Sequence, residues 1–393
     1  MPSLQLSFLL ALAALAVPAS AQELGVVAWG CGNGGATAVP PDLGSVVQVT
    51  AGFRARAALR EDGTVVAWGD NNFGQTNVPP GLSGVVRLGA GWYHLLAVRA
   101  NGTLVAWGDD RFGQSTVPPG LTDVVQAAGG WHTLALRSSG TVVAWGYNAS
   151  GQATVPPGLT GVVQITAGQH HSVALRGDGT VVAWGSNYEY ATAVPPGLSG
   201  VVQIASGGNH SLALRSDGTV VAWGSNGSLE SQVPAGLDGV VQVAAGTGHS
   251  LALRSDGTIV AWGGYQRGGC DAPLWLSGVV QVAAGSGWSV ALSTSIGTPV
   301  EPPPVGPGLP AMDVRPNPAA GPAVLRLVVP SAAVIHVTVH DVLGREVAVF
   351  YEGPLPAGTT ALPLDASRLA PGVYVIRAVA GGWVATARMV VAR

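Results

Sequence analysis

The chain has 393 residues, 47% of them hydrophobic and only 10% charged, with 58 Gly and 28 Pro. So apolar a chain is not a disordered one; the composition points to short strands joined by Gly/Pro turns. All 18 basic residues are Arg and the net charge is −3, which excludes the basic stripe that nucleic acid requires.

The N-terminus reads as a secretory signal. Leu6 to Val17 is apolar, and Ala19-Ser20-Ala21 is an A-x-A cleavage site before Gln22, so residues 1–21 are expected to be removed. The segment before Leu6 has no Lys or Arg, which leaves an uncleaved anchor as the alternative. No later run is long enough to span a bilayer, so the mature protein is expected to be soluble and exported.

From residue 25 one pentapeptide recurs, [VLI]-V-A-W-G, with its tryptophan at Trp29, Trp68, Trp107, Trp145, Trp184, Trp223 and Trp262. The spacing is 38 or 39 residues, the mark of one supersecondary unit repeated. Val201 to Gly239 is one full tile. Its alternating segments predict four antiparallel strands, A to D, with Asp217-Gly218 as a tight B–C hairpin. Strand C, as in Val65-Val66-Ala67-Trp68, is apolar on both faces and is expected to be buried on both sides. The first fragment, Val26 to Pro40, supplies only C and D, and the last, Val279 to Leu292, only A and B. Joined, they make one more unit. The prediction is an all-β, seven-bladed β-propeller over 25–292, closed by both termini.

The runs AGGWHTLAL, AGQHHSVAL, SGGNHSLAL and AGTGHSLAL (Ala128–Leu136, Ala167–Leu175, Ser206–Leu214 and Ala245–Leu253), with the AWG strand, resemble the regulator of chromosome condensation repeat. The short tile with VPPGL between blades resembles the secreted bacterial branch of that family, and is similar to propeller-type β-lactamase inhibitors. The family's founding activity, guanine-nucleotide exchange, does not suit an exported protein.

After Leu292 a Pro-rich linker spans 293–311. Residues 312–393 lose the period and alternate as short strands, which predicts a small Ig-like β-sandwich. Asn317-Pro318, Asp341 to Glu346, Ala357-Gly358, Leu369 to Tyr374 and Met389-Val390-Val391 resemble the type A sorting domain of type IX secretion. That resemblance implies passage through the periplasm of a Gram-negative bacterium, contact with the type IX machinery, and a secreted or cell-surface protein.

His94, His132, His171, His210 and His249 share one tile position, too far apart to share an ion. We read them as structural, each hydrogen-bonding within its own blade, with His170 as an extra copy at the surface; no metal and no cofactor are expected. Arg60, Arg99, Arg137, Arg176, Arg215 and Arg254 close strand B and are expected to meet the turn Asp or solvent. Cys31 and Cys270 both fall in C–D connections; in an exported protein they either form a disulfide, worth about 3–5 kcal/mol by loop entropy, or stay as thiols.

The B–C turns and D–A connections hardly vary between tiles, whereas the A–B and C–D loops do. Antiparallel order puts the variable loops on one face, with Phe53, Phe73, Trp92, Tyr93, Phe112, Trp131, Tyr147, Tyr188, Tyr190, Tyr265 and Trp288 as candidate binding residues. The leading reading is a secreted, non-enzymatic propeller that binds an extracellular or surface protein or glycan. Inhibition of a secreted or periplasmic enzyme and a lyase or hydrolase with a loop-built site are the alternatives.

Overall fold

The computed structural model describes residues 24–30, 39–264, 272–273, 276–294, 311–315, 322–329, 331–341, 346–366, 369–370, 372–380 and 383–391. The signal segment, Cys31, Cys270, Tyr265 and most of the linker lie outside the described residues. The chain divides into two compact units, Met1–Thr298 and Pro299–Arg393. The described residues are all-β apart from short 3-10 turns.

In the first unit, β1 is Gly25–Gly30. Three-stranded antiparallel sheets then follow in chain order. The first is β2 (Val46–Ala51), β3 (Ala55–Arg60) and β4 (Val65–Gly69). The second is β5 (Val85–Ala90), β6 (His94–Arg99) and β7 (Leu104–Gly108). The third is β8 (Val124–Gly129), β9 (His132–Arg137) and β10 (Val142–Gly146). The fourth is β11 (Val162–Ala167), β12 (His171–Arg176) and β13 (Val181–Gly185). The fifth is β14 (Val201–Ser206), β15 (His210–Arg215) and β16 (Val220–Gly224). The sixth is β17 (Val240–Ala245), β18 (His249–Arg254) and β19 (Ile259–Gly263). The last, of β20 (Val279–Ala284) and β21 (Trp288–Ser293), is completed by β1, which pairs Gly25 with Ser293 and Gly30 with Trp288.

That composite sheet packs on the first one. Val26, Trp288, Val290 and Leu292 share a core with Val46, Val49, Ala58 and Trp68. The first strands of all seven sheets line a single cavity of about 270 Å³. Each first strand carries a β-bulge at its second residue, as between Val201 and Gln203, and bulges of this kind bend and twist the strand. The hairpins are set by local chemistry. Asp217 Oδ1 accepts from the Thr219 N–H at 2.9 Å and its hydroxyl at 2.6 Å, while Gly218 takes φ 82°, a conformation costly to residues with a Cβ.

Two expectations are corrected. Among the described residues the fourth strand does not form: the sheets have three strands, and the outer segments that are described consist of turns and coil. Its prolines lack the N–H that a ladder needs. Instead it lies against the following sheet, where Trp107 Nε1 donates to the Gln75 carbonyl at 3.0 Å and Trp145 Nε1 to that of Gln114 at 3.1 Å. Strand C is therefore an edge strand: in β13 only Trp184 is buried, and the doubly buried strand is the middle one, such as β12.

The second unit has β22 (Ala311–Arg315), β23 (Pro322–Val329), β24 (Ala333–Asp341), β25 (Glu346–Leu355), β26 (Gly358–Asp365), β27 (Gly372–Ala380) and β28 (Trp383–Val391). Sheets β22-β23-β26 and β25-β24-β27-β28 enclose one core, with Leu325 and Leu327 from the first and Ile335, Val337 and Ile376 from the second. This is the sandwich expected from the alternation. No helix among the described residues is long and apolar enough to cross a membrane.

Candidate recognition face

The A–B and C–D loops of the first four sheets bring their aromatic rings into one continuous arc. Phe53 stacks on Trp92 with centroids 4.2 Å apart and planes at 11°. Tyr93 meets both Phe53 and Phe73, at 5.4 and 5.0 Å. Trp92 leads to Trp131 at 6.1 Å, and Trp131 to Phe112 at 5.7 Å and Tyr147 at 5.8 Å. Contacts between A–B residues and C–D residues show that both loop sets share a face, as antiparallel order requires. The rings are half-buried, with Phe112 exposed.

Cations border the arc. Arg111 sits 4.3 Å over Phe73 and holds Asp109 through two hydrogen bonds of 2.9 Å. Burial by itself would raise the Asp109 carboxyl, but the bonds from Arg111 outweigh it and hold the group below its ordinary value. Arg54 lies 5.5 Å from the centre of Phe53 and pairs with Asp70.

His170, expected to be a plain surface residue, joins the arc against Trp131 and Tyr147 at 5.5 and 5.6 Å, and burial lowers its pKa. Tyr188 and Tyr190 make none of these ring contacts; they are 65% and 73% exposed on the next C–D loop. Trp288 was misplaced. It is only 2% exposed, opens strand β21 and packs in the core, because it occupies the tile position that His holds in five of the other sheets.

A residue that sequence reasoning missed is Leu229. The C–D loops reach a left-handed backbone at Gly74, Gly113 and Gly151, with φ of 74°, 77° and 79°. The equivalent residues in the next two loops are Tyr190 and Leu229, both at φ 64° and largely exposed. A large apolar side chain in that conformation is strained, and such strain clusters at functional sites. The loss of a tile-fixed glycine was the visible signal.

The histidines are corrected in their partners. Each bonds not within its own sheet but to a hydroxyl of the next one: His94 Nε2 to Thr133 at 2.8 Å, His132 to Ser172 at 2.7 Å, His171 to Ser211 at 3.0 Å, His210 to Ser250 at 2.9 Å and His249 to Ser289 at 3.0 Å. Thr133, Ser172 and Ser250 donate their own protons to the carbonyls of Gln114, Gln152 and Glu230, each at 2.8 Å. Those hydroxyls must then accept, so His94, His132 and His210 carry the proton on Nε2. Three of the six strand-B arginines also differ from expectation. Arg60 donates to the Leu43 and Asp42 carbonyls, and Arg137 and Arg254 pair with Asp123 and Asp238 of the D–A connection. The turn aspartates are taken by the threonine that follows them.

Comparison with known proteins gives the same architecture. The regulator of chromosome condensation (RCC1) repeat profile matches residues 46–75, 85–114, 127–152, 162–190, 201–228 and 240–268. The secretion system C-terminal sorting domain matches 313–392. Among solved structures, Prp20p from Saccharomyces cerevisiae is 22% identical, with a TM-score of 0.60 over 71% of this chain and 93% of that one. Human WBSCR16 is 20% identical, with a TM-score of 0.56 over 70% of this chain and 99% of its own. Neither is a β-lactamase inhibitor, and at these identities the likeness concerns the fold. No curated protein matches the chain.

Proposed function

We propose that this chain, a protein of RCC1 repeats sent to the cell surface or beyond it by a type IX sorting domain, is a non-enzymatic binding protein that recognises another protein through its aromatic loop face. The observation that carries the reading is the arc from Phe53 to Tyr147, continued by exposed Tyr188, Tyr190 and Leu229. Aromatic rings and arginines are the groups enriched at the centres of protein interfaces. A sugar ring needs an open aromatic face, and here Phe53 and Trp92 cover one another. This favours a protein over a glycan. Prp20p has described binding properties toward Gsp1p and histones, so one relative of this fold engages proteins. The sorting domain, for its part, engages the secretion machinery.

The test is site-specific photo-crosslinking on the mature chain. A photoreactive phenylalanine at Tyr190 should give discrete adducts with envelope or medium proteins, and one at Ser139, in a B–C turn, should not. Adducts from both positions alike, or from neither, would overturn the proposal.

A further inference from the structure

Six of the seven junctions around the central cavity share one device. The glutamine at the third position of a first strand clips a single residue of the next first strand, accepting its N–H and donating to its C=O. Gln48 clips Leu88 at 2.8 and 3.0 Å, Gln126 clips Ile165 at 3.1 and 2.9 Å, and Gln164 clips Ile204 at 2.9 and 3.1 Å. Gln203 holds Val243 at 2.9 and 3.3 Å, Gln242 holds Val282 at 3.0 and 3.1 Å, and Gln281 returns to Val49 at 2.9 and 3.3 Å.

The junction between β5 and β8 breaks the rule. Its third residue is Arg87, and a guanidinium has no acceptor atom. It cannot take the Ala127 N–H, and no other side chain among the described residues does. Arg87 has no hydrogen-bond or ion-pair partner among the described residues, and it is the only charged residue bordering the cavity. Burial lowers its pKa, with no carboxylate nearby to offset it. The backbone is adapted here too. Gly89 stands where the other first strands carry Ala or Thr, and a Cβ there would meet the Ala127 carbonyl oxygen at 2.3 Å. An unpaired cation, an unclaimed N–H and a closer strand approach therefore coincide at one point in the wall.

We infer that Arg87 and the Ala127 N–H form an oxyanion site inside the cavity, suited to a carboxylate or a phosphate group. Arg and backbone N–H groups are the donors that such anions take. Phe53 and Trp92 border the same cavity, but the inference does not depend on the aromatic face binding anything.

The test is thermal unfolding of the mature chain titrated with inorganic phosphate or with a short Glu-rich peptide, each against chloride at matched ionic strength. Saturable stabilisation of at least about 2 °C is expected from one probe or both. Phosphate alone would mark a free-anion site, and the peptide alone a site for an acidic side chain. Arg87→Gln restores the tile residue and supplies the missing clip, so it should fold and lose the shift. Arg87→Lys should keep part of it. No saturable shift in the parent, or an equal shift in Arg87→Gln, would overturn the inference.

Discussion

The Arg56 guanidinium lies 3.4 Å over the Trp288 ring, and the two residues come from opposite ends of the repeat region. They occupy the positions that at five other junctions hold a hydroxyl and a histidine, so a cation–π contact stands where those junctions have a histidine–hydroxyl bond, and Trp288 Nε1 donates instead to the Phe53 carbonyl at 3.1 Å. Arg56 is fully buried, its nitrogens have no hydrogen-bond partner among the described residues, and desolvation lowers its pKa to about 9. The ring face is the only compensation seen there for a charge removed from water. Trp288→Ala should therefore cost about 3–5 kcal/mol in denaturant unfolding, through both the cavity and the uncovered charge. The pair Arg56→Ser with Trp288→His should recover part of the loss of either single change, because it rebuilds the junction used at five other places in the ring of sheets. Additive losses would show that the two residues are not coupled.

Acid should weaken the repeat region through its histidines. Desolvation lowers His94, His171 and His249 to about 4 and His132 and His210 to about 3, against an ordinary 6.5. The unfolded chain takes up these protons first. The stabilisation is thus complete above about pH 6.5 and is lost as pH falls toward 4, by up to about 1.4 kcal/mol per unit for each histidine. Unfolding free energy measured from pH 7 to pH 5 should fall steeply. A flat profile would show that these rings are open to solvent.

Ser172→Ala removes the acceptor of the His132 Nε2 proton and the donor to the Gln152 carbonyl in one step. The Gln152 carbonyl keeps the Trp184 Nε1 donor at 3.0 Å, but the buried His132 N–H loses its partner, which should cost about 1–3 kcal/mol in chemical denaturation. The same change at Ser216, in the D–A facing turn, should cost well under 1 kcal/mol.

Leu229→Gly restores the residue that other C–D loops use at this left-handed position. It should raise stability by up to about 1 kcal/mol in thermal unfolding while weakening partner binding, the signature of strain kept for recognition. A loss of stability would mean that Leu229 packs to advantage in the free protein.

The period near 39 made the sheet succession, the hairpins and the composite sheet legible, because each depends on short segments that recur intact. What it hid were contacts between copies. A partner one tile away has the same sequence neighbourhood as a partner within the tile, so the sequence alone does not separate a bond within the blade of His132 from the one it makes to Ser172. The glutamine clips were hidden for the same reason. Trp288 is readable in principle: it lies 39 residues after His249, at the start of a buried strand, so its tile position outweighs the aromatic character that suggests a surface role. The missing fourth strand was signalled by the prolines of VPPGL, which cannot donate to a ladder.

One affinity decides whether the aromatic arc is a protein-binding surface. The partner recovered by crosslinking at Tyr190 is titrated against the mature chain and against Trp92→Ala/Trp131→Ala, after thermal unfolding has shown that the variant is folded. Loss of two such rings from the centre of an interface should weaken Kd at least tenfold. An unchanged Kd with a folded variant would show that the arc is not the binding surface.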